Sequence, residues 1–164
     1  MKIASCSEPQ AIAWSNFQRM RLRLVAQINR ELTHETGLSE ADFAILSELL
    51  HSENEAVRAI ALRGGLDWEK SRLSHQIRRM EERGLLTREP CIEDSRGSVI
   101  RITEAGSKTA VDATERYAAI VRRYVFDVLS AEQLALLDDI SRTLLAALGG
   151  SEDEHICEEA LGSC

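Results

Sequence analysis

Apolar residues recur at helical spacing between Pro9 and His34, through Trp14, Phe17, Leu24, Val25, Ile28 and Leu32, and predict one long amphipathic helix. Thr36-Gly37-Leu38 ends it. Ser39, followed three residues later by Asp42, is a capping pair that opens a second helix from Glu40 to about His51. Phe43, Leu46 and Leu50 form its inward stripe. A short third helix is expected from roughly Glu55 to Arg63 on the spacing of Val57, Ile60 and Ala61. Gly64-Gly65 should break it, and a fourth helix should begin near Asp67 and stop at Gly84.

The period then changes. "LLTRE" reads as a strand and "SVIRIT" as its partner, joined by the long polar connection "PCIEDSRG", which predicts a projecting hairpin. Pro90 falls where a strand ends. Thr103-Glu104 opens a fifth helix with Val111, Tyr117, Val121, Tyr124, Val125 and Val128 on one face. A sixth follows Ser130, with Leu134, Leu137, Leu144 and Leu148 at helical spacing. Three short helices and a two-stranded hairpin make a winged helix-turn-helix. The fold class expected is therefore mostly α with a small β-hairpin wing, plus long terminal helices. A reader module of about sixty residues cannot cover those helices' apolar stripes, so they are expected to bury one another across a twofold. This divides the chain into a helical dimerisation region (1–37 and 104–150), a winged helix-turn-helix unit (38–103) and an acidic tail (151–164).

Charge sharpens that division. The whole chain carries a net −7, yet between Val57 and Thr103 ten basic residues face seven acids, a net of +3 that leaves −10 for the remainder. A basic middle between acidic ends suits a protein whose middle meets a polyanion. Within it, "DWEKSRLSHQIRRM" has no acid from Lys70 to Met80. On a helical wheel Leu66, Leu73, Ile77 and Met80 share the core side, opposite Trp68, Ser71, Arg72, His75, Arg78 and Arg79, with Ser74 at the edge. Arginine reads guanine edges bidentately, and serine and histidine reach phosphates or bases. The bland alternative is a solvated helix face, in which Arg78 pairs with Glu82 one turn on. Arg72 and His75 have no such acid in the helix. Trp68 either packs under the wing or reaches a base.

A hydrophobic content of 44% suffices for a core, while 4% aromatic residues and two prolines fit a mostly helical chain. The first dozen residues lack a signal peptide's apolar run and no stretch has the length of a membrane span, so a cytoplasmic protein is expected. Cys6, Cys91, Cys157 and Cys164 show no paired spacing and read as free thiols, although His155, Cys157 and Cys164 loosely resemble a metal-binding tail. Gly64-Gly65 is not followed by the lysine of a phosphate loop, and His34, His51, His75 and His155 form no triad or metal spacing. Glu81-Glu82 and Asp138-Asp139 read as solvated faces. No enzyme, catalytic residue, cofactor or metal is expected.

The segments "LSEADFAILSEL", "LDWEKSRLSHQIRRMEERGLLTRE" and "EDSRGSVIRITEAG", with the two terminal helices around them, resemble the MarR family of transcriptional regulators over nearly the whole chain. The resemblance implies a homodimer, most simply a repressor, on a pseudo-palindromic double-stranded DNA operator. It also implies that residues 71 to 79 read the major groove and Arg96 of the wing enters the minor groove, while Asp94 steadies a neighbouring basic side chain. The DNA-binding set is thus Ser71, Arg72, Ser74, His75, Arg78, Arg79, Asp94 and Arg96. Two features depart from the pattern: the glycine-rich turn "LRGGLDW" is about one residue longer than usual, and Ser95 stands where a second arginine is common.

Arg21 falls in the middle of the first helix's apolar stripe, between Phe17 and Leu24. A charge there needs a partner, either a carboxylate or a bound anion. Some members of the family hold aromatic carboxylates or phenols beside the first helix, which implies an effector crevice near Trp14, Phe17 and Arg21. Oxidation of Cys6 or Cys91 is a competing control. A helical dimer that binds only another protein is the alternative outside this class.

Overall fold

The computed structural model describes residues 7–52, 55–90 and 97–148. The elements in order are α1 (Glu8–Thr36), α2 (Glu40–Leu50), β1 (Ala56–Arg58), α3 (Ala59–Gly65), α4 (Lys70–Glu82), β2 (Leu86–Pro90), β3 (Ser98–Ile102), α5 (Glu104–Val121) and α6 (Ala131–Ala147). A π-helical turn, Arg122–Phe126, extends α5.

Local chemistry starts and stops the helices where expected. Ser7 and Gln10 form a capping box at the head of α1, with Pro9 in its first turn. Gly37 closes α1 in the left-handed region at φ 70°, its N–H bonded to Thr33 O at 2.9 Å. Ser39 and Asp42 cap α2 reciprocally: Ser39 N donates to Asp42 Oδ2 at 2.9 Å and Asp42 N to Ser39 Oγ at 3.2 Å. Ser130 caps α6 in the same way, through Gln133.

Two expectations need correction. The third helix does not begin at Glu55. Ala56, Val57 and Arg58 form a strand, antiparallel to β3, with Val57 opposite Ile100. The sheet therefore has three strands in the order β1-β3-β2 rather than two. Helical spacing at Val57 loses to the free edge of β3, a tertiary partner that propensity does not see. α3 then runs through Gly64 and ends at Gly65. The recognition-type helix begins at Lys70 rather than near Asp67, because Asp67 adopts a left-handed backbone at φ 49°, which no right-handed helix can include.

Of the apolar face expected for the fifth helix, Val121 and Tyr124 pack on the core, while Val111, Tyr117 and Val128 are exposed in the single chain. The residues that α5 buries are Gly106, Ala110, Ala113 and Ile120. Small side chains let α5 approach the body closely, and at Gly106 the approach is obligatory: a Cβ there would lie 1.9 Å from Leu85 O. Thr103 ties the same junction, its Oγ donating to Gly84 O at 2.7 Å while accepting from Gly106 N at 3.0 Å.

One apolar core joins α1 (Ile28, Leu32), α2 (Ile45, Leu46, Leu49), α3 (Leu62), α4 (Leu73, Ile77, Met80), the sheet (Leu86, Ile100, Ile102) and α5 (Ala110, Ala113, Ile120). Removing such a side chain, as in Leu46→Ala, costs about 2–5 kcal/mol in forgone transfer energy and cavity. α6 contributes nothing to this core: it has no buried residue.

Candidate nucleic-acid interface

α4 places its candidate contact residues by the sorting that its wheel predicted. Leu73, Ile77 and Met80 are buried, while Ser71, Arg72, Ser74, His75, Arg78 and Arg79 are all exposed. Leu66, expected on the core side of this helix, precedes it and is half-buried. Gln76 is the unexpected member, a polar residue only 8% exposed on the inward face. The centre of the exposed arc is Ser71, His75 and Arg78, with Ser74 on the flank beside Ile77 and Arg72 and Arg79 on the flank beside Gln76. Arg72 is not loose. Its guanidinium stacks on the half-buried ring of Trp68, 4.1 Å from the centroid. A stacked guanidinium keeps its N–H edge free for in-plane donation while losing little rotamer freedom on binding. Arg78 Nε lies 4.0 Å from Glu82 Oε1, both side chains well exposed, so the bland pairing exists at the outer limit of an ion pair.

A cleft of about 280 Å³ opens beside α4, lined by Arg58, Arg63, Lys70, Ser74 and Arg88 over an apolar floor that includes Leu73 and Ile77. These cations come from β1, α3, α4 and β2, and they extend the basic face of α4 towards the wing. Sequence reasoning does not single out Arg58, Arg63, Lys70 and Arg88 as site residues. Their signal is present in the net +3 of the middle segment. What sequence cannot supply is that four elements turn them to one side. On the wing, Arg101 Nε pairs with Glu89 Oε1 at 3.2 Å. Asp94 and Arg96, and with them Cys6 and Cys91, lie outside the described residues.

The inward side of α4 is held by one carboxylate. Asp42, 2% exposed, accepts from Gln76 Nε2 at 2.5 Å, from Arg83 Nη1 at 2.8 Å and from both Ser39 donors. Arg83 Nη2 also donates to Gly37 O at 3.1 Å. Burial pushes the Asp42 carboxyl up, but the Ser39 N–H and hydroxyl and the Arg83 guanidinium outweigh it, leaving the group below its ordinary value.

A second polar cluster joins α1 to the π-helical turn. Glu31 accepts from the Tyr124 hydroxyl, from Arg123 and, at 2.6 Å, from Gln27 Nε2. The Tyr124 hydroxyl is the chief reason its carboxyl sits below the usual range, opposed by desolvation and aided by Gln27 and Arg123.

The proposed effector residues share one exposed stretch of α1. Trp14 and Phe17 stack with ring centroids 5.7 Å apart, and Arg21 Nε donates to Gln18 Oε1 at 3.2 Å. Within one chain Arg21 is thus solvated, contrary to the buried position its stripe suggested, because the first half of α1 stands clear of the core. Among the described residues no three His, Cys, Asp or Glu side chains gather as a metal site. No helix among them is long and apolar enough to cross a membrane.

A helix-turn-helix with a three-stranded wing and a cationic outer face defines a winged-helix DNA-binding protein. Residues 27–112 match the family model described as transcriptional regulator SarA/Rot. The chain is 32% identical to AbsC, a MarR family transcriptional regulator from Streptomyces coelicolor, over 91% of this chain and 100% of that one, with a TM-score of 0.83. It is 28% identical to Sco3205, a MarR family regulator of the same organism solved in complex with DNA, covering 90% and 96% of the two chains at a TM-score of 0.82. The organohalide-sensing regulator RdhR-CbdbA1625, solved in its 2,4-dichlorophenol-bound form, shares the fold at 19% identity, 95% coverage of each chain and a TM-score of 0.75. A comparison with curated proteins finds no match. The chain belongs to the MarR/SarA-type family of winged-helix transcriptional regulators. Its activity is DNA binding in transcription regulation, and its relatives are regulators rather than enzymes.

Proposed function

We propose that the protein is a homodimeric repressor that reads a pseudo-palindromic operator and is released by a small anionic or phenolic ligand. The observation that carries the DNA-contact reading is the exposed face of α4, free of acids from Lys70 to Met80 and continuous with the basic cleft of Arg63, Lys70 and Arg88. Ser71, Arg72, Ser74, His75, Arg78 and Arg79 meet base edges and phosphates of the major groove. Arg96 enters the minor groove, where narrowing deepens the negative potential, and Asp94 steadies a neighbouring basic side chain. The regions 1–37 and 104–150 pair the protomers around the reading unit 38–103, a role supported by the apolar surface that α6 and the first half of α1 leave open.

Trp14, Phe17 and Arg21 supply an aromatic pair and a cation for the ligand, the chemistry that an aromatic carboxylate or phenolate would recognise. The phenol bound by the distant relative RdhR-CbdbA1625 supports this class of ligand. The test is a titration of fluorescent duplex at several salt concentrations, with salicylate and 2,4-dichlorophenol as probes. Wild type should bind with a steep salt slope, and Arg96→Ala should flatten it by about one log–log unit for each phosphate no longer neutralised. Either probe should release DNA from wild type but not from folded Arg21→Met. Release from both proteins at one ligand concentration removes Arg21 from the site. An unchanged slope in Arg96→Ala removes the wing from the DNA interface.

A further inference from the structure

Apolar packing holds α4 against the body, yet apolar contacts tolerate small slides and rotations, whereas hydrogen bonds do not. The only buried polar side chains among the described residues, Asp42 and Gln76, bond each other across the α2–α4 contact. Both Asp42 oxygens are engaged: Oδ1 by Gln76, and Oδ2 by Arg83 and the two Ser39 donors. Gln76 and Arg83 are two turns apart, so one carboxylate grips α4 at mid-length and at its C-cap. Ser39 and Asp42 in turn belong to the N-cap of α2, a point with little freedom of its own.

On the wheel, Gln76 adjoins the flank that carries Arg72, one turn before it, and Arg79, one turn after. A rotation of α4 by about 10° would move side-chain tips on its 5–6 Å radius by about 1 Å. That displacement is enough to break a bidentate contact with a base edge.

We propose that Asp42 is a positioning residue for DNA reading: shared between Gln76 and Arg83, its carboxylate sets the rotation of α4 and so selects which base pairs the exposed face recognises. The proposal rests on α4 being the base-reading helix. It makes no demand on affinity for phosphates, which depends on charge rather than on helix angle. Sequence preference and non-specific binding should therefore separate when the clamp is cut.

The experiment is selection from a pool of randomised duplexes with full-length wild type, Gln76→Met and Ala113→Gly. Gln76→Met removes the amide and keeps the length of the side chain. Ala113→Gly weakens the core on α5, away from the clamp, and controls for reduced stability. Wild type and Ala113→Gly should enrich the same site. Gln76→Met, folded by circular dichroism, should bind random duplex with the wild-type salt slope while its preference for the wild-type site falls about tenfold or more, with altered bases inside each half-site. Should Gln76→Met enrich the wild-type site with undiminished preference, or lose preference only as Ala113→Gly does, the clamp is structural alone and the proposal is overturned. If Gln76→Met does not fold, Arg83→Lys, which keeps the charge beside Asp42 but not the forked grip on Gly37, is read by the same outcomes. A wild type that enriches no site at all overturns the base-reading role of α4 itself, an outcome distinct from the others.

Discussion

The winged body and the terminal arms of this chain treat apolar residues in opposite ways. In the body, Leu46, Leu49 and Ile100 are fully buried, and the polar groups that join its elements find partners in Asp42, Ser39 and Thr103. In the arms, α6 exposes Leu136, Ile140 and Leu145, its C-cap residue Leu148 is 81% exposed, and the first half of α1 exposes Ile12, Met20 and Leu22. Both regions contain amphipathic helices. The difference is that α5 carries small residues that let other elements close over it, while the arms carry large apolar residues that no described element of the chain covers. An apolar surface of that extent is expected to meet a partner. In the proposed homodimer a second copy, whose arms carry the same surface, is that partner, related by a twofold.

The largest effect should come from charging the arms. Leu137→Asp with Leu144→Asp should give a monomer by sedimentation at micromolar concentration, with the body still folded. Operator affinity should then fall on the order of 10²–10⁴-fold, because the second half-site is no longer bound intramolecularly. In wild type the half-site centres should lie about 10 to 10.5 base pairs apart or a multiple of that. A wild-type monomer binding DNA one-to-one would erase the contrast between body and arms.

The body should instead break at its closest approach. Gly106→Ala places a methyl against Leu85 O and should destabilise the fold by about 3 kcal/mol in denaturant titration, separating α5 from the α4–β2 turn. Tolerance of alanine there would mean that this junction yields.

Asp42→Asn should cost about 2 kcal/mol at neutral pH by weakening charge-assisted bonds to a buried group. The folded carboxyl titrates below its unfolded value, so its stabilisation is present at neutral pH and disappears as pH falls through the folded value. The difference in stability between wild type and Asp42→Asn should accordingly close in acid. A difference independent of pH would assign the effect to shape rather than charge.

The smallest change is to surface recognition. Arg72→Ala should leave stability within about 0.5 kcal/mol. It should relax sequence preference at one base pair by about 1–3 kcal/mol, measured against single-base operator variants. Unchanged discrimination would leave the stacked Arg72–Trp68 pair as a surface feature only.

Much of this is legible from residues alone, because it rests on interactions within one or two turns. The Ser39–Asp42 cap, the end of α1 at Gly37, the start of α6 after Ser130 and the sorting of α4 into a buried and a cationic side all follow from local spacing. The strand Ala56–Arg58 reads as helix in the sequence because three residues carry little periodic signal and their preference is decided by β3, far along the chain. The buried small-residue face of α5 escapes a hydrophobic pattern because alanine and glycine score weakly in it, although a close approach requires them. Gln76 looks like one more polar residue, and its burial depends on a carboxylate 34 positions away.

The sequence by itself determined the order and caps of the helices, the basic middle and the family, since each is encoded in neighbours or in summed composition. The tertiary structure alone decided which cations share a cleft, which polar residue locks α4, and that Arg21 stands in solvent within one chain. Those outcomes depend on directions in space between distant segments, and period and charge along a chain carry no such directions.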